Sequence, residues 1–243
     1  MKERKSGLEF GGFSSRYATG RSAYDPFLVS FLELTGRVLE VGAGTGQGTQ
    51  LLSSLPLDLT VSEPDKRFLP LLAANFPTLD LIHSRFEAIE RPFDYIVGFQ
   101  CWHWFGHGKY QHLKKISRHG GYFIWRWYAL ADRHQLAAIA RCYSAINVLS
   151  AWLGVPAEQR LARILAELEE QRVWAAKVHC YEQVIYWSGQ QFVDHALSRI
   201  DHQGASLFDS RAIIEQYPSA QIPLIETYAI VKLMDRSAAT AEG

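Results

Sequence analysis

The feature that most constrains this chain is a glycine-rich turn, EVGAGTG at residues 40–46. The run RVLEV at 37–41 predicts a buried strand that enters the turn, and residues 45–55 predict a helix that leaves it. Glycines let the backbone approach a ligand closely, and the start of a helix offers free N–H groups. Strand, glycine turn and helix in this order indicate a site for a small nucleotide-like ligand.

The spacing of the glycines narrows the choice of ligand. A dinucleotide site reads G-x-G-x-x-G, and neither frame fits here, because the sixth position is Gln47 in one frame and Thr49 in the other. A Walker loop also fails, since no Gly-Lys-Ser or Gly-Lys-Thr follows. A nicotinamide-dependent oxidoreductase is therefore disfavoured.

Strand-like and helix-like segments alternate after the turn, which predicts an α/β fold with a doubly wound parallel sheet. The predicted strands are 37–41, 58–63, 79–83, 93–99, 121–127, 179–187 and 222–233. The main predicted helices are 26–34, 45–55, 65–75 and 109–118. Two further helix-like segments lie within 129–178, where no strand is predicted. This stretch indicates a helical insertion after the fifth strand.

The bulk composition excludes several classes of protein. The 243 residues include 25 basic and 25 acidic side chains, so the zero net charge argues against a nucleic-acid partner. Cys101, Cys142 and Cys180 lack paired spacing, which favours a reducing cytoplasm. The first residues have no apolar stretch after their charges, and no apolar run reaches about 18 residues, so we expect neither a signal peptide nor a membrane partner. We expect one domain over 1–234 and a flexible tail at 235–243.

The motif E-V-G-x-G-x-G resembles that of the class I S-adenosylmethionine-dependent methyltransferases. The resemblance extends over about 13–233 and is strongest to the small-molecule branch that includes the ubiquinone and trans-aconitate methyltransferases. It implies a Rossmann-like sheet of seven strands with an antiparallel last strand, and S-adenosyl-L-methionine as cofactor. It also places Glu40 near the amino group of the cofactor. The residues that would carry the methionine part are Gly42, Ala43, Gly44 and Gly46.

A second acidic residue, Glu63, stands at the predicted end of the second strand. Pro64 biases Glu63 toward an extended backbone, and a carboxylate there can accept hydrogen bonds from both ribose hydroxyls. Alternatively, Glu63 is a loop residue that binds no ligand. The resemblance places the adenine beside Arg85 and Phe86, although many relatives carry Asp-Ala at this point.

Aromatic residues cluster at 99–105 (FQCWHWF), at the predicted end of the fourth strand. Ligands bind beyond the carboxyl ends of such strands, and aromatic faces stabilise a sulfonium cation. The tryptophans could equally be core residues. His103 could act as a general base or only shape the pocket. The predicted lining is Gln100 beside the cofactor, and Trp102, His103, Trp104 and Trp127 beside the substrate.

Two segments outside the sheet are expected to select the substrate. One is the N-terminal arm and helix at 1–35, where the resemblance places Tyr17 and Arg21 near the cofactor and Phe13 near the substrate. Arg21 could hold an acidic group or stay solvated. The other is the insertion 129–178, whose apolar residues around Tyr143 predict a lid for an apolar or aromatic acceptor, or else a dimer face. A monomer or a homodimer is expected.

The sequence thus predicts a methyltransferase that moves a methyl group to oxygen, nitrogen or carbon of a small molecule by in-line displacement. A binding protein or a cofactor-assisted cyclase with the same fold is the alternative. No metal is predicted, because His103, His107 and His112 lack both a His-Glu-x-x-His pattern and nearby thiolates.

Overall fold

The structure, a computed structural model, describes residues 22–132, 139, 155–171, 173–197 and 210–234. Its strands form one sheet in the order β3-β2-β1-β4-β5-β7-β6. They are β1 Arg37–Val41, β2 Asp58–Ser62, β3 Asp80–Ile82, β4 Tyr95–Phe99, β5 Gly121–Leu130, β6 Trp174–Trp187 and β7 Ile222–Met234. β7 runs antiparallel to both β5 and β6, whereas the other neighbours pair in parallel. The predicted fold class is confirmed.

Helices connect these strands. They are α1 Gln47–Leu52, α2 Leu69–Asn75, α3 Lys109–Ile116, α4 Ala157–Glu170, α5 Gly189–Leu197 and α6 Ser210–Gln216. Short 3₁₀ helices lie at Pro26–Phe31, Phe86–Ala88 and Trp102–Trp104. In the part of the chain that the structure describes, no helix combines the length and apolar character needed to cross a membrane.

The central strands of the sheet are buried on both of their faces. On one face Leu39 and Phe123 pack in a cluster with side chains of α3 and α4. On the other face Val38 and Ile124 pack with side chains of α1, α2 and the first 3₁₀ helix. Burial on both faces explains why β1 is a nearly continuous apolar run, as is typical of parallel strands. Each fully buried apolar side chain contributes about 1.5–3 kcal/mol.

The described parts of the segment predicted as a helical insertion pack against the sheet. β5 continues to Leu130, and β6 begins at Trp174 instead of at residue 179. Leu168 of α4 is fully buried against the core, so this helix forms the crossover layer between β5 and β6. Tyr143 lies outside the described residues, as do the arm 1–21 and the tail 235–243.

Two helices begin later than predicted, for local reasons. Gly46 adopts a left-handed backbone with a φ of 91°, so α1 begins only at Gln47. Asp65 accepts a hydrogen bond from the N–H of Arg67 at 3.0 Å, which folds the chain into a turn before α2 begins at Leu69. Such short-range side-chain bonds compete with the helix at its start.

β5 begins at a tight turn and then extends beyond its parallel neighbour. Residues 121–124 pair with β4, whereas the whole of β5 pairs with β7. The turn residue Gly120 has a φ of +83°, and a Cβ added there would collide with the carbonyl oxygen of Leu233. Glycine is therefore required at this position.

We expect Gly120→Ala to lower the free energy of unfolding by about 2 kcal/mol or more, because a left-handed backbone costs a non-glycine residue about 1–2 kcal/mol and the collision adds to this. Urea denaturation measures the change. Gly106→Ala is the control, since a Cβ there would meet only Glu87 Oε1, at 3.6 Å. Equal stabilities for the two variants would contradict the prediction.

Candidate active site

The glycine turn lies at the carboxyl end of β1, between β2 and β4. Gly42, Gly44 and Gly46 all have positive φ, which side chains rarely tolerate. The N–H groups of Gly42 and Ala43 donate to the carbonyl of Ser62 at 2.9 and 3.2 Å. The turn is therefore fastened to the end of β2, and the structure places all the predicted turn residues together.

Glu40 lies beneath the turn and is only 1% exposed. The hydroxyl of Thr49 donates to its carboxyl at 2.6 Å. Burial raises the pKa of Glu40 to about 8, and the neighbouring Glu63 adds to the rise, while the Thr49 bond opposes it. The carboxyl thus keeps its proton at neutral pH, and a cation brought against it would favour the ionised form.

Glu63 stands on the other side of the turn, directly after β2. Its Oε2 accepts from the N–H of Gly44 at 2.7 Å, and its Oε1 accepts from the N–H of Asp65 at 2.8 Å. Burial raises the pKa of Glu63, and these two backbone bonds oppose the rise. A carboxylate offers about four lone-pair sites, so two sites remain for the hydroxyls of a ligand.

Asp65 is a supporting residue that sequence reasoning missed. It is buried, and Arg67 donates to its two carboxyl oxygens from Nε and Nη2 at 2.8 and 2.7 Å. The only signal in the sequence is an Asp-x-Arg pattern after β2. On the same side the Nε2 of His83 lies 3.1 Å from the carbonyl of Pro64, which ties the loop after β2 to the loop after β3.

The two predicted neighbours of the adenine have different surroundings. Arg85 is exposed. Phe86 is buried, and its ring centroid lies 4.6 Å from that of Phe105 and 4.9 Å from that of His112. The side chain of Phe86 therefore packs into the core, so a ligand would meet chiefly its backbone.

Gln100 holds an unusual backbone conformation at the end of β4. Within the described ranges it is the one non-glycine residue with positive φ, at 56°. Its N–H donates to the carbonyl of Ile124 at 2.8 Å, and its side-chain amide donates to the carbonyl of Arg126. Residues held in such conformations tend to cluster at functional sites.

The aromatic residues after β4 separate into buried and exposed members. Trp102 is buried, with its ring 4.3 Å from that of Phe123 and the Nζ of Lys109 at 4.7 Å from its centroid. Trp102 therefore has the position of a core residue, which is the alternative interpretation of the tryptophans. His103 and Trp104 are exposed, with ring centroids 4.8 Å apart.

Other predicted residues lie farther from the turn or outside the described part. Trp127 is partly buried on β5 beyond the end of β4 and packs against the same cluster as Trp102. Phe13, Tyr17 and Arg21 fall outside the described residues. Among the described residues, no group of three or more His, Cys, Asp and Glu side chains could hold a metal ion.

Known proteins match parts of the sequence. No protein-family model matches it. An uncharacterised methyltransferase of Mycobacterium tuberculosis is 32% identical over 42% of this chain and 44% of that protein. The malonyl-[acyl-carrier protein] O-methyltransferase of Paenibacillus sp. is 30% identical over 56% of this chain and 59% of that protein. The chain thus spans about half the length of the curated relatives that it matches.

Solved structures share the fold of this chain. A protein of Anabaena variabilis, described as a methyltransferase from an antibiotic biosynthesis pathway, has a TM-score of 0.54 at 14% identity, covering 85% of this chain and 95% of that one. An S-adenosylmethionine-dependent methyltransferase of Geobacter sulfurreducens, in complex with S-adenosyl-L-homocysteine, has a TM-score of 0.50 at 12% identity, covering 91% and 97%. These structures show that the chain has the predicted Rossmann-like fold, which it shares with these methyltransferases.

We expect the raised pKa of Glu40 to make stability depend on pH. The carboxyl titrates near 4.5 when unfolded and near 8 when folded, so its stabilising effect is complete below pH 4.5 and is lost as pH rises toward 8. Glu40→Gln cannot ionise. Between pH 5 and pH 8 the wild type should therefore lose stability that the variant keeps. The difference between their free energies of unfolding, measured with urea, should shift in favour of the variant by more than about 1 kcal/mol.

The exposed Glu90 provides the control for this titration. Its side chain is 82% exposed, so Glu90→Gln should follow the wild type across the same pH range. If the free energies of unfolding of Glu40→Gln and the wild type changed with pH in parallel, the raised pKa of Glu40 would be contradicted.

Proposed function

We propose that this chain is an S-adenosylmethionine-dependent methyltransferase that acts on a small molecule. The observation that carries the proposal is the pair of buried carboxyls, Glu40 and Glu63, that flank a turn of left-handed glycines. The two carboxyls can accept hydrogen bonds on opposite sides of a turn whose glycines let the backbone approach a ligand closely. This arrangement suits a ligand that has a cationic amino group at one end and ribose hydroxyls at the other. The matched relatives named as methyltransferases support the same cofactor.

The donor site follows from this assignment. We assign Glu40 to the amino group, Glu63 to the ribose, and Arg85 with Phe86 to the adenine. Gln100 lies at the end of β4, beside the turn, and we assign it to the lining of the cofactor site. The assigned contacts to the methionine part are Gly42, Ala43, Gly44, Gly46, and from the arm Tyr17 and Arg21.

The chain itself supplies alignment and surroundings for the reaction. When bound, the cofactor offers an electrophilic methyl group on a sulfonium. The task of the protein is to hold the accepting atom in line with it, which can be worth roughly 7–11 kcal/mol. The exposed face of Trp104 suits an aromatic or apolar acceptor. Phe13, Trp127 and Tyr143 are assigned to the same pocket.

His103 is the candidate proton acceptor. It is exposed and lies against Trp104, on the loop that follows β4. An imidazole titrates near neutrality, so it can take the proton that a hydroxyl or amine acceptor loses as the new bond to carbon forms. A carboxylate acceptor would need no base, and His103 would then only shape the pocket.

The setting of the reaction is also part of the proposal. Cysteines without paired spacing fit a reducing compartment, so we assign the cytoplasm. The balanced charge suits a small-molecule substrate better than nucleic acid. We assign a monomer or a homodimer, and no membrane partner.

We expect Glu63→Ala to weaken binding of S-adenosyl-L-homocysteine by roughly 1–3 kcal/mol, because the bonds to the ribose hydroxyls are lost. Calorimetric titration measures the affinity. Glu90→Ala, which changes an exposed carboxyl before β4, should bind like the wild type. An unchanged affinity for Glu63→Ala would move the ribose elsewhere, and binding of NADH without S-adenosyl-L-homocysteine would overturn the proposed function.

We expect His103→Ala to reduce turnover by about 10²–10⁴-fold if His103 is the base, while affinity for S-adenosyl-L-homocysteine stays nearly the same. The acceptor is first identified by incubating the wild type with methyl-labelled cofactor and an extract of its own cells. Full activity of His103→Ala would refute the role of base. Cofactor binding with no labelled product would instead favour a binding protein or a cyclase.

A further inference from the structure

Arg126 is a buried cation that the proposed reaction does not use. It lies on β5, beyond the last pair that β5 makes with β4, and its side chain is 3% exposed. Its Nη1 is 3.7 Å from Glu226 of β7, and Gln183 of β6 donates to the same carboxyl at 2.6 Å. Buried ion pairs contribute little net stability, so the pair calls for another explanation.

The guanidinium of Arg126 binds the backbone just before the first 3₁₀ helix. Nη1 donates to the carbonyl of Ala23 at 2.7 Å, and Nη2 donates to the carbonyl of Ser22 at 3.0 Å. The same group lies 4.2 Å from the ring centroid of Tyr24. Arg126 therefore holds this segment by two carbonyls and one aromatic face, which a lysine could not do together.

Tyr24 connects this clamp to the candidate donor site. Its ring centroid lies 4.7 Å from that of Phe99, the last residue of β4. Phe99 in turn packs on Gly48, so closely that an added Cβ would collide with its ring and would also lie 2.5 Å from Oε1 of Glu40. One continuous layer of contacts thus leads from Arg126 to the Glu40 carboxyl.

The backbone of Arg126 contacts the same region from a second direction. Its carbonyl accepts a hydrogen bond from the side-chain amide of Gln100, the residue with positive φ at the end of β4. One residue of β5 therefore fixes both the segment 22–24 and the end of β4.

We propose that Arg126, held by Glu226, is a positioning residue that keeps Ser22–Tyr24 over the carboxyl end of β4 and so orders the methionine end of the donor site. This inference rests on the proposed function. Arg126 acts through Tyr24 and Phe99, and its effect falls on affinity for the methyl donor rather than on the chemical step.

The test removes the clamp without leaving an unpaired buried charge. The double variant Arg126→Met with Glu226→Gln replaces the pair by neutral side chains of similar size, which is tolerated better than the loss of one partner. In the protein without ligand, we expect amide hydrogen exchange in the peptide that contains Ala23 and Tyr24 to be at least about tenfold faster than in the wild type. We expect affinity for S-adenosyl-L-homocysteine to fall about tenfold, with a higher donor KM and little change in kcat.

A control removes ion pairs to the sheet from a residue just after the first 3₁₀ helix, outside Ser22–Tyr24. Glu33 binds Lys177 and Lys232 at 2.6 and 3.1 Å, near the amino end of β5. Glu33→Gln should leave both the exchange at Tyr24 and the affinity unchanged. A purely structural role for Arg126 would instead lower thermal stability while exchange and affinity at native temperature stay at wild-type values.

The outcomes separate the two proposals. Wild-type exchange and affinity in the double variant would overturn the positioning role. If the wild type fails to bind S-adenosyl-L-homocysteine, the proposed function fails, and the exchange rates alone still decide whether Arg126 holds the segment. If the double variant does not fold, Arg126→Lys replaces it, because lysine keeps the charge beside Glu226 but cannot bind both carbonyls at once. This variant should show the same changes in exchange and affinity to a smaller degree.

Discussion

The hydrogen bond from the Gly44 N–H to the Glu63 carboxylate joins the loop after β1 to the loop after β2, and the geometry of the site depends on it. A bond of this charge-assisted kind contributes about 1.5–3 kcal/mol. It holds the left-handed glycines in one arrangement, with Ser62 accepting from the same turn. Glu40 lies buried beneath this turn, and its burial raises the pKa of its carboxyl, with a further rise from the neighbouring Glu63.

Much of the fold could be predicted because its information is local. A strand buried on both faces appears in the sequence as an apolar run, and the glycine turn marks where the first strand ends. The predicted bounds of β1 to β5 and of β7 agree with the structure to within a few residues. The start of β6 was missed, because Trp174–Val178 has no apolar–polar pattern that separates it from the end of a helix. Its strand conformation comes from pairing with β7. A partner so distant in sequence leaves no trace in a local pattern.

The site was predictable in its acids and less so in its aromatic residues. Glu40 and Glu63 could be found because each stands at a fixed step from a strand end. Trp102 and Trp104 look alike in the sequence, yet a short 3₁₀ helix directs the first into the core against Phe123 and leaves the second 42% exposed. The clamp by Arg126 was also missed. Its carbonyl and carboxylate partners come from 22–23 and from β7, and only the folded chain brings them together.

The position of β7 governs how the chain can assemble during synthesis. β7 is the last of the described strands along the chain, yet it lies between β5 and β6, and the part of β5 beyond Ile124 pairs with no other strand. Everything from β1 to the first half of β5 can form as the chain emerges, whereas β6 must wait for residues 222–234 to leave the ribosome. During that interval β6 has no partner strand, and its exposed side carries Val184 and Tyr186, so a second nascent chain could pair with it. The pairing of β6 therefore depends on a strand that is synthesised after it.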